Sequence, residues 1–213
     1  MRPSILVRHT ERRSLLFVNC VWCTRHPPQR TGQPQGLHPT GRWCCMKYDP
    51  HKHHRRSIRL KDYDYSQQGA YFVTICVHER RCLFGTIDHG EMQLNASGTM
   101  VANAWLDLNN RFPTVKTDVC VVMPNHIHGI IWIGQPQRSS LGHVIGAFKS
   151  ITTDQYIDGV RKRGWTPFSG RVWQRNYYEH IIRNDRVLHA IRNYMEANPS
   201  RWADDPENPV CSK

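Results

Sequence analysis

Two histidines, His126 and His128, flank Ile127 at the head of an apolar run that reaches Ile133. The β-branched and aromatic residues of that run favour an extended strand. Side chains at i and i+2 of a strand project from one face, so both imidazoles stand side by side. An imidazole pair suits zinc, manganese or another divalent ion, with coordination positions left for a substrate oxygen. The same spacing also serves histidines that only pack or hydrogen-bond on a sheet, and spacing alone leaves both readings open. A histidine-triad nucleotide hydrolase needs a third histidine at position 130, where Ile130 stands. That class is excluded.

A second group recurs at helical spacing. Val187, Ala190, Ile191, Tyr194 and Asn198 step by three and four, which puts them on one face of a helix expected over 185–198 and stopped by Pro199. The apolar members turn that face inward, onto a sheet. On periodicity alone Tyr194 is a core tyrosine and Asn198 a helix-end residue before proline.

The elements that must position these residues follow from pattern. Residues 70–77 form a buried strand. Residues 82–87 and 91–94 form a hairpin about Asp88-His89-Gly90. Asn95 or Ser97 caps a helix carrying Met100, Val101, Ala104, Trp105 and Leu108, which Phe112-Pro113 ends. Residues 115–123 and 126–133 form two strands about Pro124-Asn125. A second helix spans 141–160, and 172–182 is a strand before the last helix. Strands and helices interleave with hairpin-length turns, which indicates an α+β domain on one antiparallel sheet.

The chain has 213 residues and 39% hydrophobic content, enough for one domain with a real core. No apolar run approaches the ~20 residues of a membrane span. The eight cysteines make no disulfide framework, and Cys20-x-x-Cys23 is half a zinc signature without its partner half. Cysteine usage therefore places the protein in the cytoplasm. With 29 basic and 17 acidic residues the net charge is +12, which favours a polyanionic partner. Half of that excess lies in residues 1–45, which hold seven arginines, no lysine and one acid, Glu11. Five prolines break any periodicity there. The stretch is either a basic arm for nucleic acid or an extension upstream of a true start at Met46, and we favour the extension.

Three motifs in order resemble a known family. Met123-Pro124-Asn125-His126-Ile127-His128 comes first. Trp173-Gln174 follows, with Tyr178-Glu179-His180-Ile181-Ile182-Arg183. Tyr194 then stands four residues before Asn198-Pro199. Together they are similar to the REP-associated tyrosine transposases of the HUH single-tyrosine superfamily, over residues 46–208, with 209–213 a tail. The resemblance implies a ferredoxin-like antiparallel sheet with packed helices, and a nuclease that cuts and rejoins single-stranded DNA. It implies that His126 and His128 hold a divalent ion, Mg²⁺ or Mn²⁺, and that Tyr194 is the nucleophile giving a 5′-phosphotyrosine. Asn198 falls where related insertion-sequence enzymes place a glutamine as third ligand, and its shorter reach makes it the weaker ligand. The implied partner is hairpin or single-stranded DNA of the REP palindrome kind, met at the nucleoid by a monomer or homodimer with no membrane association.

Phosphate contacts must come from basic residues elsewhere. Arg55, Arg56, Arg59 and Lys61 precede the first strand, and Arg161, Lys162, Arg163 and Arg171 flank the loop before Trp173. Trp173, Trp165 and Tyr177 can stack unpaired bases. Two rival functions share these residues: a DNA-binding protein that no longer cuts, and a metal-dependent nuclease that releases product to water.

Overall fold

The structure is a computed structural model that describes residues 63–135 and 139–209. Its main sheet has four strands: β1 (Gly69–Cys76), β4 (Val115–Val122), β5 (His126–Ile133) and β6 (Tyr178–Ile182), in the order β4-β5-β1-β6 with every neighbour antiparallel. Between β1 and β4 lie a separate hairpin, β2 (Gly85–Asp88) and β3 (Glu91–Leu94), and the helices α1 (Ala96–Leu106) and α2 (Leu108–Arg111). The long helix α3 (Leu141–Arg163) joins β5 to β6, and α4 (Asp185–Ala197) follows β6. Without the hairpin, the chain runs strand-helix-strand-strand-helix-strand. With this strand order it is the ferredoxin-like arrangement, two split strand-helix-strand units sharing one sheet.

Register decides which side chains share a face. Opposed residues on neighbouring strands point the same way. Tyr71↔Ile131, Val73↔Gly129 and Ile75↔Ile127 therefore form one face, and Phe72↔Ile130, Thr74↔His128 and Cys76↔His126 form the other. The first face carries the larger core with Val101, Trp105, Val144, Ile145, Phe148 and Tyr156 of α1 and α3. The second carries a small cluster of Ala70, Ile130 and Ile182 under Leu188 and Met195 of α4. Both histidines lie on the α4 side, and helices cover both faces of the sheet.

The helix ends are set locally. Asn95 caps α1 by accepting from the Gly98 N–H at 2.9 Å, and Asn184 caps α4 by accepting from the Val187 N–H at 2.9 Å. These bonds satisfy amides that a first turn leaves without partners. Gly164, at φ +67°, ends α3 in the left-handed conformation that glycine adopts without penalty. The helix thus runs three residues past the expected 141–160, and its last turn holds Arg161, Lys162 and Arg163 against the negative end of the helix dipole.

Two expectations change. The strand expected over 172–182 is regular only from Tyr178; before it, Trp173 makes a single bridge to Val77. Lys149 Nζ donates to the Gln174 and Asn176 carbonyls, both at 2.9 Å, so those groups turn toward α3 instead of a strand partner. The inward stripe of α4 includes Val187, Ile191 and Asn198 as expected but is centred elsewhere. Leu188 and Met195 are buried, whereas Tyr194 is 37% exposed at the rim of the stripe. Among the described residues no helix is long and apolar enough to cross a membrane. Residues 1–62, which include the 1–45 extension, lie outside the described residues.

Gly129 sits in β5 immediately after His128, and a Cβ built there falls 2.2 Å from the buried Trp105 indole. Gly129→Ala must push Trp105 or the strand aside, and overpacking of this kind costs about 1–3 kcal/mol. The expected result is a lower urea midpoint with unchanged m-value. A midpoint equal to that of wild type shows that Trp105 does not clamp the strand.

Candidate active site

Each imidazole is held by one nitrogen and presents the other. Asn125 Nδ2 donates to the Arg80 carbonyl at 3.0 Å and the Glu207 carbonyl at 2.7 Å. That orientation turns Asn125 Oδ1 to His126 Nδ1 at 2.9 Å. An amide oxygen only accepts, so His126 carries its proton on Nδ1 and bares the Nε2 lone pair. His128 Nδ1 lies 2.8 Å from Thr74 Oγ1, its cross-strand partner. The two Nε2 atoms converge to 3.1 Å.

That convergence has two physical solutions. A rotating Thr74 hydroxyl can donate to His128 Nδ1, leaving His128 Nε2–H to donate to His126 Nε2. If Thr74 accepts instead, two lone pairs face each other and a cation between them removes the repulsion. Two nitrogens each ~2.1 Å from one ion, at tetrahedral or octahedral angles, stand roughly 3.0–3.4 Å apart. The 3.1 Å separation matches that of two nitrogens on one divalent ion, and both rings already have the outer hydrogen bonds that orient metal-binding histidines.

Burial also fixes the charge state. His126 is fully buried and His128 nearly so. Desolvation pushes His126 down to about 3 and holds His128 well below the ordinary imidazole range, with His126 adding to the effect on His128. Neutral imidazoles keep the lone pairs that a cation needs.

Tyr194 packs edge-on against His128 of this pair. Its ring centroid is 5.5 Å from that of His128 and 6.3 Å from that of Phe72, both edge-on. Phe72 in turn stacks on His128 at 5.4 Å. Asn198 caps the C-terminus of α4, buried, with its Nδ2 lacking a hydrogen-bond partner. The structure therefore brings Tyr194, His126 and His128 together on one face of the sheet.

Of the expected DNA contacts, Arg161, Lys162, Arg163 and Arg171 are exposed. Lys162 pairs with Asp158 at 3.0 Å, and Arg163 lies over Trp165 at 5.4 Å. The Val77–Trp173 bridge adjoins Cys76, the partner of His126, so the segment carrying Arg171 meets the sheet at the histidine end. Arg55, Arg56, Arg59 and Lys61 lie outside the described residues. Trp173 is corrected: it is buried, it donates to Thr152 Oγ1 at 2.8 Å, and it packs on Phe84 and Phe148. A ring so enclosed has no face for a base. Tyr177 is buried too, whereas Tyr178 is 45% exposed and opposite Thr74 on the histidine face.

Three residues of the site went unassigned at the sequence level. Asn125 adjoins the pair, and its Pro-Asn-His context was its only signal. Thr74 is reached only through strand register. Asp205, buried, places Oδ2 at 3.9 Å from His126 Nε2, and burial raises its pKa. Among the described residues, no three His, Cys, Asp or Glu side chains already stand at ligating separation.

The geometry defines a class: a ferredoxin-like domain with a converging histidine pair on a central strand and a helix-borne tyrosine packed against it. A Haemophilus influenzae protein described only as uncharacterized is 40% identical over 172 residues, covering 75% of this chain and 96% of the relative. The two chains belong to one family. A second H. influenzae protein, described as a "Putative REP-associated tyrosine transposase", is 24% identical over 139 residues, 64% of this chain and 73% of that one. The chain is similar to the REP-associated tyrosine transposases, as its three motifs imply, and is transposase-like. A solved REP-associated tyrosine transposase bound to a REP hairpin superposes with a TM-score of 0.48 at 20% identity, covering 67% of this chain and 73% of that one. No protein-family model matches the chain.

The depressed imidazoles set a pH dependence for the metal-free protein. Between about pH 3, where His126 titrates when folded, and the unfolded value near ~6.5, the unfolded chain binds more protons than the native one, so stability falls as pH falls. Each histidine contributes up to about 1.4 kcal/mol per pH unit in that window. Urea titrations in EDTA should show a midpoint that drops from pH 7 to pH 5, with a smaller drop in His126→Gln. Equal slopes in both proteins remove His126 as the buried neutral group.

Proposed function

We propose that the protein is a metal-dependent single-stranded DNA endonuclease and strand-transfer enzyme, with Tyr194 as nucleophile and a hairpin or other single-stranded DNA as substrate. The observation that carries the reading is the 3.1 Å convergence of two buried Nε2 atoms, with the Tyr194 ring packed edge-on against one of the two imidazoles, His128. A hydrolytic nuclease has no use for a tyrosine at that place. The hairpin substrate is what the motif resemblance implies, and exposed Arg171, on the segment that meets the sheet at the histidine end, suits a phosphate backbone.

The division of labour follows from the geometry. Asn125 and Thr74 fix the two rings, and burial keeps them neutral. When bound, a Mg²⁺ or Mn²⁺ ion would neutralise a non-bridging phosphate oxygen and favour in-line attack. An unperturbed tyrosine is mostly protonated at pH 7, so Tyr194 must lose its proton as its oxygen bonds to phosphorus. The bond to the 3′ oxygen breaks, that oxygen takes up a proton, and a 5′-phosphotyrosine remains. Attack on this ester by the 3′ hydroxyl of another strand reverses the step and rejoins DNA without ATP. Asn198, a helical turn from Tyr194, would be an amide ligand. Tyr178 shares the sheet face but lies on the strand side of Asn184; we assign it to DNA contact rather than attack.

The test is incubation with end-labelled hairpin DNA and Mn²⁺, read on a denaturing gel. Wild type should give a covalent protein–DNA band. Tyr194→Phe should lower adduct formation by about three orders of magnitude or more while retaining hairpin binding, and Tyr178→Phe should still form the adduct. His128→Ala should bind and not cut. Mapping of the adduct to Tyr178, or cleavage without any adduct, overturns the assignment.

A further inference from the structure

The segment after α4 returns to the site and is pinned there. Residues Pro199–Asp204 form a short 3-10 helix that places the Trp202 ring 6.1 Å from that of His126. The following turn is held from several sides. The Asp205 carbonyl accepts from Asn208 N at 2.9 Å, and Asn208 Nδ2 donates to the Trp202 carbonyl at 2.9 Å. Glu207 pairs with Arg80 at 3.1 Å, and its carbonyl accepts from Asn125, the residue that holds His126. Inside this turn Asp205 Oδ1 accepts from the Glu207 N–H at 2.7 Å. That bond leaves Oδ2 toward His126 Nε2, at 3.9 Å.

Resting on the metal-dependent reading above, we propose that Asp205 is a carboxylate ligand of the ion held by His126 and His128, in addition to the Asn198 amide. A ligand oxygen and nitrogen on one divalent ion stand roughly 3 Å apart, so Asp205 needs a shift of ~1 Å, within reach of a side-chain rotation. An anionic oxygen is a better ligand for Mg²⁺ or Mn²⁺ than a neutral amide. The network gives the carboxylate a fixed place: the Asn125 amide ties the Asp205 turn to His126, so ring and carboxylate move as one unit. Two histidines, one amide and one carboxylate leave two positions of an octahedral ion open for phosphate oxygens.

The experiment is calorimetric titration of the full chain with MnCl₂ in the absence of DNA. Asp205→Asn keeps the bond from the Glu207 N–H and removes only the charged oxygen. It should bind Mn²⁺ at least about 10-fold more weakly than wild type, with circular dichroism unchanged. Asp205→Ser, whose hydroxyl can accept the same bond without reaching the ion, is the second variant and is judged by the same criterion if the first fails to fold. Wild-type affinity in the folded variant, with binding lost in His126→Ala, overturns the role of Asp205 and leaves the histidine site standing. No Mn²⁺ binding by wild type overturns the metal reading itself, and Asp205 with it.

Discussion

The approach of two buried imidazole nitrogens to 3.1 Å is the constraint around which the rest is arranged. Two lone pairs held that close repel unless a proton or a cation lies between them, so every group around them must oppose their separation. Asn125 and Thr74 do so from the far side of each ring. Asn125 is itself locked by two carbonyls from separate parts of the chain, Arg80 and Glu207. A lone histidine pair on a mobile strand would swing apart. Here β5 is a central strand, paired to β1 over its length and to β4 on either side of a bulge between Thr117 and Cys120.

The two faces of the sheet have different tasks. The α1 and α3 face supplies stability: large aromatic and aliphatic side chains fill it, and Trp105 lies so close over Gly129 that no Cβ fits. The α4 face gives part of its area to polar groups, and its apolar cluster is correspondingly small. Burial of Thr74, Asn125, His126, His128, Asn198 and Asp205 costs desolvation energy that only hydrogen bonds or a bound ion offset.

Much of this was legible in the sequence because the relevant signals are local. Runs of β-branched and aromatic residues predicted β1, β4 and β5 to within a residue or two, and of the two expected caps, Asn95 and Ser97, Asn95 caps its helix. The shared face of His126 and His128 followed from the period of a strand. Three things were not legible. Thr74 stands opposite His128 through a pairing 54 residues apart in sequence, and register is not written in either strand alone. Trp173 reads as an aromatic beside arginines, and only packing shows that Thr152, Phe84 and Phe148 enclose it. Asp205 lies in a turn with no periodicity, so nothing in its own neighbourhood links it to a histidine 79 positions earlier. Helical period put Tyr194 on the inward stripe, but that stripe is about 100° wide or more, and its edge is where the residue falls.

That edge position fits the chemistry proposed for it. A core tyrosine would be shielded from a phosphate by its own packing; one facing solvent would have no fixed relation to the histidines. At 37% exposure, with its ring edge on Phe72 and His128, Tyr194 is oriented and still open to a ligand. The helix that carries it rests on the sheet through a small apolar cluster and an ion pair between Arg192 and Asp118. The histidines, by contrast, are part of the strand ladder itself. In the proposed reaction the nucleophile stays bonded to one DNA end while another strand enters, and would need more freedom than the groups proposed to hold the ion. The unequal anchoring of α4 and β5 supplies that difference, because opening a small packed cluster requires less free energy than breaking a central strand pairing.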